Sequence, residues 1–214
     1  MKLALIGASG FVGAALLDEA VRRGHSVTAI VRHPEKISVT DSLTQVKQAD
    51  VQAIEALAQL LTGHDAVISA YNAGWTNPNL YDDFLAGSKA IDQATRQASV
   101  SRLLVIGGAG SLEIASGVQL VDTPEFPAEY KAGATAARDY LNTLRQQSTL
   151  DWTFVSPAIN LFPGERTGSF RLGTDQPVFD EQGNCSISVA DLAVAVLDEV
   201  EQPQFIRKRF TAGY

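Results

Sequence analysis

Short apolar runs alternate along this chain with longer segments in which apolar residues return every three to four positions. The runs Leu3–Ile6, Val27–Val31, Thr44–Lys47, Ala66–Ser69, Leu103–Ile106 and Thr153–Val155 read as strands. Between them, Phe11, Val12, Ala15, Leu16 and Ala20 mark one helical stripe, and Val51, Ile54, Leu57, Leu60 and Leu61 mark a second. Pro78 is placed to start a long helix carrying Leu85 and Ile91 toward Ala98, and Tyr130, Ala134, Ala137, Leu141 and Leu144 trace a fourth. A last helix begins at Ser188, an N-cap with Asp191 three residues on, and buries Val189, Leu192, Ala193, Val196, Leu197 and Val200. This strand–helix repetition predicts an α/β fold: a parallel sheet with helices on both faces, joined by right-handed crossovers. After Ser156 the period fails. Residues 157–186, rich in proline and glycine, are expected to be loops and short strands that cover a substrate within a single domain spanning 1–214.

The first strand and helix enclose MKLALIGASGFVG, residues Met1–Gly13. The glycines fall as G-x-x-G-x-x-G rather than the G-x-G-x-x-G of simple dehydrogenases. Gly7 permits a tight turn where the strand leaves the core, and Ser9 and Gly10 sit where only a small backbone can approach a pyrophosphate. Phe11 and Val12 then open a helix whose N-terminal N–H groups and positive dipole end suit phosphate. The segment reads as a dinucleotide-binding opening. NAD-specific folds place a carboxylate about 20 residues beyond the glycines, on the ribose 2′-hydroxyl. Here Val31-Arg32-His33 ends the second strand, so Arg32 is expected to pair with a 2′-phosphate, which favours NADP(H) over NAD(H). His33 reads as a surface histidine.

At 214 residues with 45% hydrophobic content the chain is sized for one well-buried domain, and it contains no stretch long and apolar enough to cross a bilayer. A net charge of −7 argues against a nucleic-acid surface, the only basic cluster being Arg207-Lys208-Arg209 beside an expected terminal strand. Cys185 stands alone, which excludes an intramolecular disulfide and fits a reducing cytoplasm; it reads as a small, half-buried residue. The apolar start breaks at Gly7 without a cleavage region, which argues against export. No His, Asp and Glu fall at metal-ligand spacing, and His25, His33 and His64 lie at segment ends that read as surface loops. The expected partner is a small-molecule acceptor, with the oligomeric state left open.

Several local patterns, in order, resemble the extended and atypical short-chain dehydrogenase/reductase superfamily, specifically its small NmrA-like NAD(P)H-binding oxidoreductases and NADH-flavin reductases. They are the glycine turn Gly7–Gly13, Ala49-Asp50-Val51, Ser69-Ala70-Tyr71-Asn72, and Val105 to Ser111 with its Gly107-Gly108-Ala109-Gly110 core. Asp151-Trp152-Thr153 leading into Ser156-Pro157, and Ile187 to Asp191, complete the set. The resemblance implies a Rossmann doubly wound sheet of order 3-2-1-4-5-6-7 with a small C-terminal substrate region. In such a sheet the carboxyl ends of the strands line the cofactor crevice. Asp50 is then placed to accept from the adenine amino group with Val51 packing on the ring; Asp50 as N-cap of a helix Val51–Leu61 is an alternative compatible with it. Ala70, Tyr71 and Asn72 would pass beneath the ribose and pyrophosphate. Gly107 and Gly108 would leave room near the nicotinamide ribose, and Pro157 would pack near the nicotinamide.

The superfamily's usual proton donor is a tyrosine whose pKa is lowered by a lysine four residues later. Tyr130 occupies a suitable place, but Ala134 stands where the lysine is needed, and Lys131 points from another part of the helix surface. Tyr130 therefore reads as a pocket aromatic or as the catalyst, and Ser111 as the group that orients an acceptor or as a turn cap. Trp75 and Phe162 are candidates to wall the acceptor pocket. The expectation is an NAD(P)H-dependent oxidoreductase passing hydride to a flavin, quinone or similar conjugated acceptor. The alternatives are a non-enzymatic NADP(H)-binding redox sensor and a nucleotide-sugar epimerase or dehydratase.

Overall fold

A computed structural model describes residues 1–37 and 41–214. In chain order its regular elements are β1 (Lys2–Ile6), α1 (Phe11–Arg22), β2 (Ser26–Val31), β3 (Thr44–Gln48), α2 (Ile54–Leu61), β4 (Ala66–Ser69), α3 (Leu80–Gln97) and β5 (Arg102–Ile106). There follow the short hairpin β6 (Glu113–Ala115) and β7 (Val118–Gln119), then α4 (Ala128–Arg145), β8 (Asp151–Ser156), β9 (Asn160–Phe162), β10 (Arg171–Gly173), β11 (Ser186–Ser188), α5 (Val189–Glu201) and β12 (Lys208–Gly213). The main sheet runs β10-β12-β8-β5-β4-β1-β2-β3, parallel throughout except for β10, which pairs antiparallel with β12. Counting only the parallel strands gives the expected order 3-2-1-4-5-6-7, a Rossmann fold. The order reverses between β1 and β4, and at such a reversal the flanking crossovers leave in opposite directions and open a crevice.

The runs look uniformly apolar because both faces of the sheet are covered. Leu3 and Leu5 of β1 face α1 and α5, packing with Leu16, Leu17, Leu192 and Val196. Ala4 and Ile6 face the opposite layer of α2, α3 and α4, with Leu57, Phe84, Ile91 and Leu141. Two helix starts differ from the periodicity. The backbone turns at Asp50, whose Oδ1 accepts from Gln52 N–H at 2.9 Å while Ala53 N–H donates to the Asp50 carbonyl at 3.1 Å. Asp50 thus closes an Asx turn, and α2 starts at Ile54 instead of being capped by Asp50. Likewise Asn77 Oδ1 accepts from Asn79 N–H at 2.9 Å, holding Pro78 in a turn before α3.

Residues 157–186 form short strands among loops. β9 pairs in parallel with β11, and the intervening chain is strapped to the α1–α5 layer. Arg166 donates to the buried Glu19 of α1 at 2.7 and 2.9 Å. Glu19 also accepts from Arg23, which reaches Asp198 and Glu201 of α5. His25 corrects the surface reading: it is buried, with Nε2 at 2.7 Å from Glu201. Cys185 is buried too, and burial pushes its thiol up.

Asp191 anchors the strap. It is fully buried, and its carboxylate accepts from Thr167 N–H (2.8 Å), Gly168 N–H (2.7 Å), Thr167 Oγ1 (2.6 Å) and Tyr214 Oη (2.8 Å). Burial opposes its charge, but the donors outweigh burial and hold the carboxyl below its ordinary value of 3.8. A lowered folded pKa adds stability that is complete above 3.8 and is lost as pH falls through the lowered value. Asp191→Asn is therefore expected to cost about 1.5–3 kcal/mol at neutral pH, the scale of hydrogen bonds to a charged group. Its loss should shrink as pH drops below 4, so wild-type and variant denaturation curves should converge in acid.

Candidate functional site

The crevice begins at the turn after β1. Gly7 adopts φ +81°, and a side chain there would come within 2.5 Å of the Ala70 carbonyl, so the turn is open only to glycine. Gly7 N–H donates to Ile30 O at 2.9 Å, tying the turn to β2, and Gly10 N–H donates back to Gly7 O at 3.0 Å. A Cβ on Gly13 would collide with the same Gly7 carbonyl, so the first turn of α1 can rest on it only because Gly13 has none. Gly10 caps α1 without a side-chain acceptor, leaving the helix's opening N–H groups to a ligand. Phe11 itself is half exposed, and Val12 turns into the core.

A cleft of about 420 Å³ follows from this turn along the carboxyl ends of β1 to β4. Gly7, Ser9 and Gly10 form one wall. Arg32 and Lys36 stand at the end of β2, Asp50 and Val51 after β3, and Ala70, Tyr71 and Asn72 after β4. Asp50 is exposed and Val51 buried, so one offers a carboxylate and the other an apolar surface. Arg32 makes no ion pair among the described residues, while the neighbouring His33 faces Glu35 at 3.2 Å. An uncapped helix start, a glycine cradle, an apolar slot and the Arg32 and Lys36 cations fit the ADP half of a dinucleotide.

Tyr71 lines this space with its ring fixed in place. Its ring lies over Gly87, where a Cβ would stand 2.5 Å from the ring atoms, and it stacks on Phe84 with centroids 6.1 Å apart. Its hydroxyl donates to the Asp83 carbonyl at 3.1 Å, and burial raises its pKa, so it stays neutral. Periodicity alone missed Gly87, Lys36, Asn77 and Asp83 as parts of the cleft or its support. A glycine inside an otherwise regular helix was the available signal for Gly87.

The other end of the expected site is built differently. Gly107, Gly108 and Pro157 lie past the cleft, at the ends of β5 and β8. The missing side chain of Gly107 is required by packing: a Cβ there would overlap the buried Phe154 ring. Ser111 does not face a ligand. It is 1% exposed, and Arg209 of β12 donates to its carbonyl at 2.8 Å and its Oγ at 3.0 Å while also pairing with Asp175. One member of the basic cluster is thus an interior brace rather than surface charge, and the orienting role expected of Ser111 gives way to a structural one.

Tyr130 stands half exposed on the first turn of α4, its ring edge-on to Trp75 at 5.5 Å. Four residues on, Ala134 packs so closely on Gly110 that a Cβ on that glycine would be 2.8 Å from the alanine Cβ. Ala134 leaves no ammonium where the tyrosine–lysine pair needs one. Phe162 packs on Tyr214, centroids 6.4 Å apart, and against Gly164. Among the described residues no cluster of His, Cys, Asp and Glu could hold a metal ion, and no helix is long and apolar enough to cross a membrane.

Gly87→Ala should drive the Tyr71 ring toward the cleft, destabilising the fold by about 1–3 kcal/mol, as overpacking does. It should also weaken dinucleotide binding in the cleft. Adding Tyr71→Ser removes the colliding ring, so the double variant should recover stability in thermal denaturation, whereas a general helix defect would persist.

Comparison with known proteins places the chain. A family described as NAD(P)H-binding matches residues 7–203. A Bacteroides thetaiotaomicron structure provisionally named an epimerase is 47% identical, covering 100% of this chain and 96% of its own, with a TM-score of 0.93. A Burkholderia pseudomallei structure provisionally described as an exported protein is 46% identical over 100% of both chains, TM-score 0.89. A Streptococcus pneumoniae structure provisionally named an NADH-flavin reductase is 39% identical, covering 100% and 99%, TM-score 0.83. With the match running from the glycine turn through α5, over most of its length, the chain belongs to the NAD(P)H-binding family.

Proposed function

We propose that this protein is an NADP(H)-dependent reductase of the NmrA-like short-chain dehydrogenase/reductase type, passing hydride to a flat conjugated acceptor such as a flavin or quinone. The observation that carries this reading is Ala134 in place of the lysine that would activate Tyr130, in a chain that carries a cleft fit for the ADP half of the cofactor. Chemistry that requires a strongly activated tyrosine, including carbonyl reduction and sugar epimerisation, loses its proton donor. An electron-poor conjugated ring accepts hydride with its proton supplied by water.

In this reading the Gly7–Gly10 turn, with Ser9 and the opening N–H groups of Phe11 and Val12, holds the pyrophosphate. Arg32 pairs with the 2′-phosphate, and Lys36 adds a second positive charge at the same end of the cleft. Asp50 has Oδ1 engaged by Gln52, which leaves Oδ2 to accept from the adenine amino group, while Val51 packs on the ring. Ala70, Tyr71 and Asn72 support the ribose and pyrophosphate, and Gly107, Gly108 and Pro157 mark the direction of the nicotinamide. The bound nicotinamide supplies the hydride. The protein's part is to hold it against the acceptor, since positioning alone is worth several kcal/mol of barrier. A free, buried Cys185 supports a cytoplasmic setting.

The same missing lysine also favours a redox sensor, which would bind oxidised and reduced cofactor without turnover. Steady-state assay with NADPH and a panel of flavins and quinones separates the two: turnover above background is expected, and none would favour the sensor. Arg32→Ala should weaken NADPH binding by about 1.5–3 kcal/mol and leave NADH much less affected. Isothermal titration checks this; equal losses, or a wild type that prefers NADH, would remove Arg32 as the phosphate ligand.

A further inference from the structure

Trp75 is 58% exposed, an unusual position for the side chain with the largest apolar surface to bury. The loop that carries it is built to hold it there. Asn72 Oδ1 accepts from Gly74 N–H at 2.7 Å, Gly74 turns at φ +105°, and Asn77 N–H donates to the Gly74 carbonyl at 3.0 Å. Asn77 Nδ2 also reaches the Ala73 carbonyl at 3.3 Å and Asp83 Oδ2 at 2.7 Å, pinning the loop to α3. The indole rests on Gly133, where a Cβ would lie 3.0 Å from Cζ3, and beside Leu80. Tyr130, 49% exposed, meets it at 86°. The two rings therefore form a fixed aromatic corner open to solvent.

Its place in the fold gives the corner a use. One arm of the loop, Asn72 and Ala73, is wall of the cofactor cleft. The helix on the other side, α4, lies against the end of β5 through Ala134 on Gly110 and Ala137 near Gly108. The corner stands between the ADP cleft and the strand end toward which the nicotinamide would run.

We infer that the Trp75–Tyr130 corner is the acceptor platform, on which a planar electron-poor ring such as a naphthoquinone or isoalloxazine stacks against the indole with Tyr130 bounding its edge. This rests on the reductase reading above. The acceptor ring takes a hydride, two electrons and one proton, from the reduced nicotinamide and a second proton from water; the nicotinamide leaves oxidised. Tyr130 contributes an aromatic edge, in keeping with its missing lysine.

The test uses the whole protein with menadione and FMN as probes. Trp75→Ala should raise the acceptor KM on the order of tenfold, the scale of a lost aromatic stack, with NADPH affinity within about twofold of wild type and Trp75→Phe restoring most of it. The only other tryptophan, Trp152, is 2% exposed. Menadione should therefore saturably quench emission of the NADP⁺-loaded protein through Trp75, and Trp75→Phe should abolish that quenching. Turnover with an unchanged acceptor KM in Trp75→Ala overturns the platform and leaves the reductase reading standing. Saturable quenching lost in Trp75→Phe, without turnover of any acceptor, keeps the corner as a binding site for a planar ring and overturns both the reductase reading and the corner's role as acceptor platform. Absence of quenching in the wild type overturns the platform.

Discussion

The contact on which this structure depends is that of one backbone carbonyl, that of Gly7, with the start of α1. Gly10 N–H bonds to it, and only the bare Cα of Gly13 lets the first helical turn come down on it. Because Gly7 itself turns at positive φ beneath the Ala70 carbonyl, β1, β4 and α1 are fixed together within a few residues. That fixes the direction of the helix's N–H groups, and hence where a phosphate could sit. The cleft along β2, β3 and β4 is an extension of this one junction.

The opposite side of the molecule is organised by buried charge. Glu19 and Asp191 each sit in the interior, and in each case burial, which would raise the pKa, is outweighed by arginine or by backbone and hydroxyl donors. Together they bind the irregular chain between β8 and α5 to the α1–α5 layer. Such a carboxylate is a directional fastener: it specifies which loop atoms meet it, which apolar packing of a proline- and glycine-rich segment could not do. Arg209 does the same for the end of β5, gripping Ser111 and Asp175.

Much of this was legible in the sequence. Strands buried on both faces announce themselves as apolar runs, so the parallel sheet and its order followed from periodicity and a family resemblance, and the cleft residues from Gly7 to Asn72 followed from strand ends. What failed to show were effects of tertiary geometry. Ser111 looked like a polar residue near a ligand because nothing local reveals that Arg209, nearly a hundred positions away, buries it. Nor did the sequence reveal that a side chain at Gly107 would collide with Phe154. His25 looked superficial because its partner Glu201 lies at the far end of the chain. Helix starts moved by a few residues where Asp50 and Asn77 preferred local turns to capping.

The reversed strand β10 has a consequence for how the molecule meets copies of itself. A parallel sheet of this kind would otherwise end on β12, a six-residue strand with a row of open backbone groups. β10 covers residues 211–213 of that row with three residues, and Arg171 within it donates to the carbonyls of Phe179 and Tyr214. The outermost strand is then too short and too polar in its surroundings to template another chain. At the other margin β3 carries Gln45, Lys47 and Gln48 on an exposed ribbon. Both borders of the sheet are thus short strands, which limits the length over which another copy could pair edge to edge.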